Sequence, residues 1–178
     1  MGFDVYRFEA GKASWSAFGL PLEGDDAETI TAANLARRDP PSCRIYERLQ
    51  AVLERFTPDH GVCVVLSEGG VFLGRIGSAK ARRNASKTAG DAMEAGTSTF
   101  RPDVPIMDMA DWFRRRPKSR DFVITTPDGR VWGVLYRRDV DRLLAAANGH
   151  EMPAGTVRSR WLKGQERGGA NRTTRLAG

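Results

Sequence analysis

Cysteine and histidine, the soft metal ligands and the usual nucleophile and base, are scarce in this sequence. Cys43 and Cys63 lie twenty positions apart with no Cys-x-x-Cys, and His60 and His150 are the only histidines, so the ligand spacing of a zinc site is missing. The chain has no Gly-x-Ser-x-Gly and no His-Glu-x-x-His. Gly74-x-x-Gly77 and Gly69-Gly70 are too short for a dinucleotide fingerprint, and no Gly-Lys-Ser/Thr follows them as a P-loop requires. The acid pairs Asp108/Asp111 and Asp139/Asp141 fall near helix starts or on exposed faces, where solvation accounts for them. The expectation is a protein without catalytic residues, metal or cofactor, whose cysteines stay reduced and pack as small apolar side chains.

The charge of +6 over 178 residues suggests a nucleic-acid footprint until it is placed along the chain. Residues 155–178 hold Arg158, Arg160, Lys163, Arg167, Arg172 and Arg175 against the single acid Glu166, so the rest is nearly neutral. Trp161 stacking and phosphate neutralisation would let this tail bind RNA or DNA. A solvated, disordered extension over 156–178 is the expected state, and nucleic acid is not the expected partner. No apolar run approaches the ~18 residues of a membrane span, and Met1–Tyr6 carries an acid and lacks the basic and apolar regions of a secretory signal. Gly2 lacks the downstream Ser or Thr of a myristoylation signal. A cytoplasmic protein is expected.

The elements that position the remaining polar residues emerge from an internal repeat. CVVLSEGGVFLG (63–74) aligns without gaps on FVITTPDGRVWG (122–133), fifty-nine residues later, with Gly70 on Gly129 and Gly74 on Gly133. Each copy reads as a strand, a tight glycine turn and a second strand: 63–66 and 71–76, then 122–125 and 131–136. Ahead of each hairpin runs a helical period, Ile45, Leu49, Val52, Leu53 and Phe56 in one copy, Ile106, Met109, Ala110 and Phe113 in the other. Pro58 and Pro117 close these helices, and their apolar faces align only after a slip of about two residues. A second helix follows each hairpin, at 78–84 and at 137–147, the latter with Val140, Leu143 and Leu144 inward. A short extended piece at 98–101 opens the second copy. The implied fold is α+β, βαββα twice.

These residues resemble tandem cystathionine β-synthase (CBS) domains. Thr99-Phe-Arg-Pro-Asp-Val-Pro-Ile106 looks like the family's opening strand and helix entry, and Gly129 to Asp139 looks like its Gly-x-x-x-Gly-φ-φ-Thr-x-x-Asp segment, φ being apolar. Ala89-Gly-Asp-Ala-Met-Glu94 is similar to the segment that introduces a second repeat. Residues 5–21, ending Trp15-Ser-Ala-Phe-Gly-Leu-Pro21, resemble the close of a rhodanese domain, with nothing upstream to supply that family's catalytic cysteine. Trp15, Phe18 and Leu20 are therefore read as a packing segment docked on the CBS core. The implied organisation is a rhodanese-tail-like segment at 1–21, a linker at 22–41 with room for a short helix, repeat one at 42–88, repeat two at 89–155, and the basic tail.

The resemblance implies a regulatory pair, a Bateman module, with clefts that take AMP, ADP, ATP or S-adenosylmethionine as a regulatory ligand. A helix N-terminus after a glycine-containing strand offers phosphate its N–H groups and positive dipole end, and a carboxylate two residues into that helix accepts both ribose hydroxyls. Asp139 holds that place in the second repeat, with Thr99 near the base, Tyr136 where the family has Thr or Ser, and Arg137 and Arg138 where phosphate contacts are common. In the first repeat Gly77 replaces the hydroxyl residue and Lys80, which cannot accept from ribose, replaces the aspartate. That cleft would take at most an anion, through Ser78, Lys80 and Arg82. Asp139 could instead simply offset its helix dipole. Two functions follow: a sensor of an adenosine-containing ligand acting through a homodimer, or a ligand-free dimerisation or adaptor module for an unidentified protein, its cleft filled by Tyr136. Trp112, Phe113, Leu143 and Leu144 are the apolar surface expected at the dimer interface.

Overall fold

The computed structural model describes residues 11–20 and 29–149. The expected segments at 1–10 and 156–178, and the 22–28 part of the expected linker, lie outside them. The chain divides after Val140 into two compact units, the second contributing the 141–149 part of the last helix. In chain order the elements are α1 (Gly11–Ala17), α2 (Ala32–Leu35), β1 (Ser42–Arg44), α3 (Leu49–Val52) running into a 3-10 turn (Leu53–Arg55), β2 (Val62–Leu66), β3 (Phe72–Gly77) and α4 (Ser78–Arg83). Then come α5 (Ala89–Ala92), β4 (Glu94–Ala95), β5 (Thr99–Phe100), α6 (Ile106–Arg115), β6 (Asp121–Thr125), β7 (Val131–Tyr136) and α7 (Arg137–Gly149).

Both expected hairpins form, β2 with β3 and β6 with β7, each antiparallel and joined in parallel by the opening strand of its repeat, β1 or β5. Their turns contain Gly70 and Gly129 at the same φ of +80°, a backbone region that costs glycine nothing. The tips meet each other through a bridge between the equivalent residues Val71 and Arg130.

β2 explains its own unbroken apolar run. Successive side chains point to opposite faces of a strand, and here both faces are covered. Cys63 and Val65 pack with Cys43, Leu49, Val52, Ile76 and Ala81 under the helices of the first repeat. Val62 and Val64 pack with Val123, Val134 and Tyr136, joining the two sheets. Cys43 and Cys63 are buried free thiols with sulfurs 3.7 Å apart.

The opening helices differ more than their periodicities suggest. α6 buries Ile106, Met109, Ala110 and Phe113 as expected, whereas the first-repeat helix starts only at Leu49. Ile45 stands in the preceding turn, 43% exposed, because the Glu47 carboxylate accepts the Arg44 N–H at 2.6 Å and holds that turn outside the helix. The first repeat also has an opening strand, β1, that the sequence reading did not place. Phe113, expected as apolar surface, is buried within the chain, its ring 4.5 Å from that of Phe122. Trp112 is half-buried, its ring edge-on to Phe100 at 5.3 Å.

The stretch expected as a linker holds a structural element. Thr31 N–H donates to the Asn34 side chain at 2.8 Å at the start of α2, and Thr88 pairs with Asp91 in the same way at the start of α5, fifty-seven residues on. The α2 segment docks on the second repeat: Ala32 N–H donates to Val104 O, Ala33 N–H to Pro102 O, and Arg37 exchanges both backbone bonds with Val134 of β7 at 2.9 Å. The α5 segment docks likewise on the first repeat, with β4 antiparallel to β3. Each repeat's leading segment thus completes the other repeat's sheet.

This crossing explains why Gly74 and Gly133 are glycine. A Cβ on Gly74 would stand 2.6 Å from Glu94 O, and one on Gly133 2.5 Å from Arg37 O, closer than carbon and oxygen approach without backbone movement. A Cβ on Gly77 would meet nothing within 4 Å, and its φ of −75° suits any residue. Gly133→Ala is therefore expected to destabilise by about 1–3 kcal/mol through overpacking, while Gly77→Ala, at the N-cap of α4, has room for its methyl group and changes stability by under ~1 kcal/mol. Urea unfolding of both variants beside the wild type checks the difference in size.

Candidate functional site

The crossing carries a charged side chain into the second repeat. A row of paired residues runs across its sheet, Thr99 of β5 beside Val123 of β6, Val123 beside Val134 of β7, and Val134 beside Arg37. Arg37 turns its guanidinium to the first turn of α7 and holds Asp139 in a two-pronged bond, Nε to Oδ2 at 2.8 Å and NH2 to Oδ1 at 2.9 Å. The remaining nitrogen, NH1, donates to the Asp59 carboxylate at 2.9 Å. Asp139 is 12% exposed at its side chain, Arg37 25%, and Asp59 77%. The bond to Asp139 leads the causes that hold the Arg37 proton more tightly than in an ordinary arginine.

Tyr136, the last residue of β7, lies beneath this pair. It is 7% exposed, with the guanidinium carbons of Arg37 and Arg138 5.4 and 5.1 Å from its ring centroid, within cation–π range. Its hydroxyl lies 3.5 Å from His60 Nδ1. Arg138 also donates to Asp59 O at 3.1 Å. Burial, and after it the nearby Asp121 carboxylate, pushes the Tyr136 phenol up to about 12. Burial and the Arg37 charge pull the His60 imidazole below its ordinary value.

Arg137 is engaged elsewhere. Its guanidinium donates to the carbonyls of Phe113 at 2.6 Å, Arg116 at 2.7 Å and Ser119 at 3.0 Å, satisfying the open C-terminal end of α6. The site residues singled out in the sequence thus separate: Tyr136, Arg138 and Asp139 share one cluster, Thr99 lies across the sheet from it, and Arg137 fastens α6 to α7.

In the first repeat the corresponding row is Ser42, Val64, Arg75 and Glu94. Lys80, the counterpart of Asp139, sits on α4 with its Nζ 3.8 Å from Glu94 Oε1, and Glu94 is the counterpart of Arg37. The charges are thus exchanged between the repeats, the first-repeat pair being longer and Glu94 also meeting Arg75 Nε at 3.4 Å. Arg75 adds a bond to the Asp121 carboxylate of β6. Ser78 is half-buried at the start of α4, its N–H donating to Gly61 O at 3.1 Å, and Arg82 is exposed.

Arg37, Asp59 and His60 were not legible as site residues. Arg37 lies 102 positions from Asp139, and the one signal was the match of Thr31–Arg37 with Thr88–Glu94 at the fifty-seven-residue spacing. The same arginine-rich segment meets the N-terminus: Arg38 stacks on the Trp132 ring, 3.9 Å from its centroid, and Gly19 lies against that ring, docking the 11–20 segment on β7.

No protein-family model matches the chain, and no curated protein matches it significantly. Solved structures do. The CBS domain pair of protein MJ0100, in complex with 5′-methylthioadenosine and S-adenosyl-L-methionine, is 19% identical, with a TM-score of 0.57 over 66% of this chain and 98% of that one. CBSX2 in complex with AMP is 16% identical, with a TM-score of 0.57 over the same shares. The fold is that of a CBS-domain pair. The cytosolic domain of the Mg2+ channel MgtE in complex with ATP is 17% identical, with a TM-score of 0.58 over 66% of this chain. The present chain spans 51% of that structure and 51% of the soluble part of a magnesium transporter. No helix among the described residues is long and apolar enough to cross a membrane.

The burial of Tyr136 gives a spectroscopic handle. Its folded-state value lies above the ordinary 10, so between the two the folded protein keeps a proton that the unfolded chain has lost, and stability falls as pH rises from about 10 toward 12. In the folded protein, phenolate absorbance should include one tyrosine with a midpoint of about 12, and Tyr136→Phe should remove that component alone.

Proposed function

We propose that this CBS pair is a regulatory module, without catalytic activity of its own, whose second-repeat cleft takes an adenosine-containing ligand: AMP, ADP, ATP or S-adenosylmethionine. The observation that carries the reading is the placement of Asp139. A carboxylate in the first turn of α7, largely buried, at the end of a strand whose row leads back to Thr99, is suited to accept two ribose hydroxyls. Arg138 directly precedes it in the chain, and Thr99, at the other end of that row, is the residue assigned to the base. Ligands of this class are bound by MJ0100, CBSX2 and MgtE, which supports the reading by likeness of fold.

A second reading rests on a different observation. Arg37 holds both oxygens of Asp139 in a two-pronged bond, and Tyr136 is buried at the position where the family places a small hydroxyl residue. On that reading the closed cleft is permanent, and the module works as a dimerisation or adaptor unit for another protein. In both readings the working form is a homodimer, with Trp112, Leu143 and Leu144, half-buried in the single chain, as its apolar contacts.

Thermal unfolding with AMP, ADP, ATP and S-adenosylmethionine separates the readings. A ligand at about a hundred times its Kd adds about 2.7 kcal/mol, several degrees for a domain of this size. The sensor is expected to show that rise with at least one ligand and to lose it in Asp139→Ala. No rise with any ligand favours the closed adaptor. Static light scattering at tens of micromolar is expected to give twice the chain mass, and a monomer would remove the dimer from both readings.

A further inference from the structure

Arg37 decides what Asp139 can receive. A ribose diol that docks face-on takes the two-pronged edge of the carboxylate that the guanidinium holds at 2.8 and 2.9 Å, and so displaces the guanidinium from that edge. A neutral nucleoside offers the displaced guanidinium no anion, so its binding leaves a half-buried cation without its main partner, which is costly. A nucleotide brings its own. Its phosphate oxygens accept the same two-pronged bond a carboxylate does.

The surroundings suit such an exchange. Asp59, mostly exposed, keeps hold of the third guanidinium nitrogen, so Arg37 can turn about that anchor and stay beside the cleft. Arg138 shares the Asp59 carbonyl side and the same Tyr136 ring, placing a second cation where the phosphate would arrive. In the first repeat the crossing strand carries a carboxylate, Glu94, which stays paired with Arg75 at 3.4 Å when its Lys80 contact opens, so no arginine is released there to take a phosphate.

We propose that Arg37 is the specificity-determining residue of the second cleft, a built-in counterion that exchanges the Asp139 carboxylate for the ligand's phosphate and so admits adenosine nucleotides while excluding neutral adenosine. This rests on the reading of that cleft as a nucleoside site.

Titration calorimetry of the full chain with AMP and with adenosine tests it. Wild type is expected to bind AMP at least about tenfold more tightly than adenosine. In Arg37→Gln, adenosine should bind about tenfold better than to wild type, and the preference for AMP should fall to within about threefold. Arg37→Lys keeps the charge without the planar fork, so it should retain a preference for AMP while admitting adenosine more readily. The ratio of the two affinities is insensitive to general loosening of the fold. Binding of both ligands with the wild-type ratio kept in Arg37→Gln and Arg37→Lys overturns the role of Arg37 and leaves the nucleoside site standing. Binding of neither ligand to any of the three proteins overturns the site itself and this proposal with it.

Discussion

Two backbone crossings hold the rest of this structure in place. At Gly133 the chain around Arg37, and at Gly74 the chain around Glu94, approach a neighbouring strand to within a distance that forbids even a methyl group. The absent side chains let the leading segment of each repeat close the other repeat's sheet, and the exchange is reciprocal. Sheet closure, the capped turns at Thr31 and Thr88, and both charge bridges depend on these two contacts. Packing of Val62, Val64, Val123 and Val134 between the sheets then fixes how the halves face one another.

The same crossing explains what the sequence revealed and what it withheld. The hairpins were legible because their signal is local: strand-forming residues around a glycine turn, repeated at constant spacing. The fold class followed from that repeat, and the helical period of α6 marked its buried face correctly. The leading segment at 31–37 was hidden because its spacing from its counterpart is fifty-seven and not fifty-nine, the second copy carrying two extra residues between helix and hairpin. Ile45 was misread because it fits a helical period, yet the bond from Arg44 N–H to Glu47 settles the turn first. Asp139 was singled out through the resemblance of the Gly129–Asp139 segment to that of CBS domains. Its partner was not, since contact between residues 102 positions apart leaves no local trace.

Electrostatics distinguish repeats that the backbone makes alike. Equivalent positions on α4 and α7 carry Lys80 and Asp139, and equivalent positions on the crossing segments carry Glu94 and Arg37. Exchanging both members preserves each bridge while inverting the sign of the group the helix presents to the cleft. A duplicated scaffold thereby presents opposite charges at two equivalent helix starts without any change of fold, and of the two only the aspartate can accept a hydrogen bond.

The reciprocal exchange also sets the order in which the chain can finish folding as it is made. Residues 31–37 leave the ribosome early, but their docking strand, β7, ends about a hundred residues later, roughly 5–20 s at ordinary rates of synthesis. The first repeat can assemble once β4 has appeared, because that strand comes from the chain immediately after it. The arginine-bearing segment must wait unpaired throughout. The nascent protein therefore passes through a stage in which half of its sheet closure is complete and the other half is an open edge, awaiting the translation of β7.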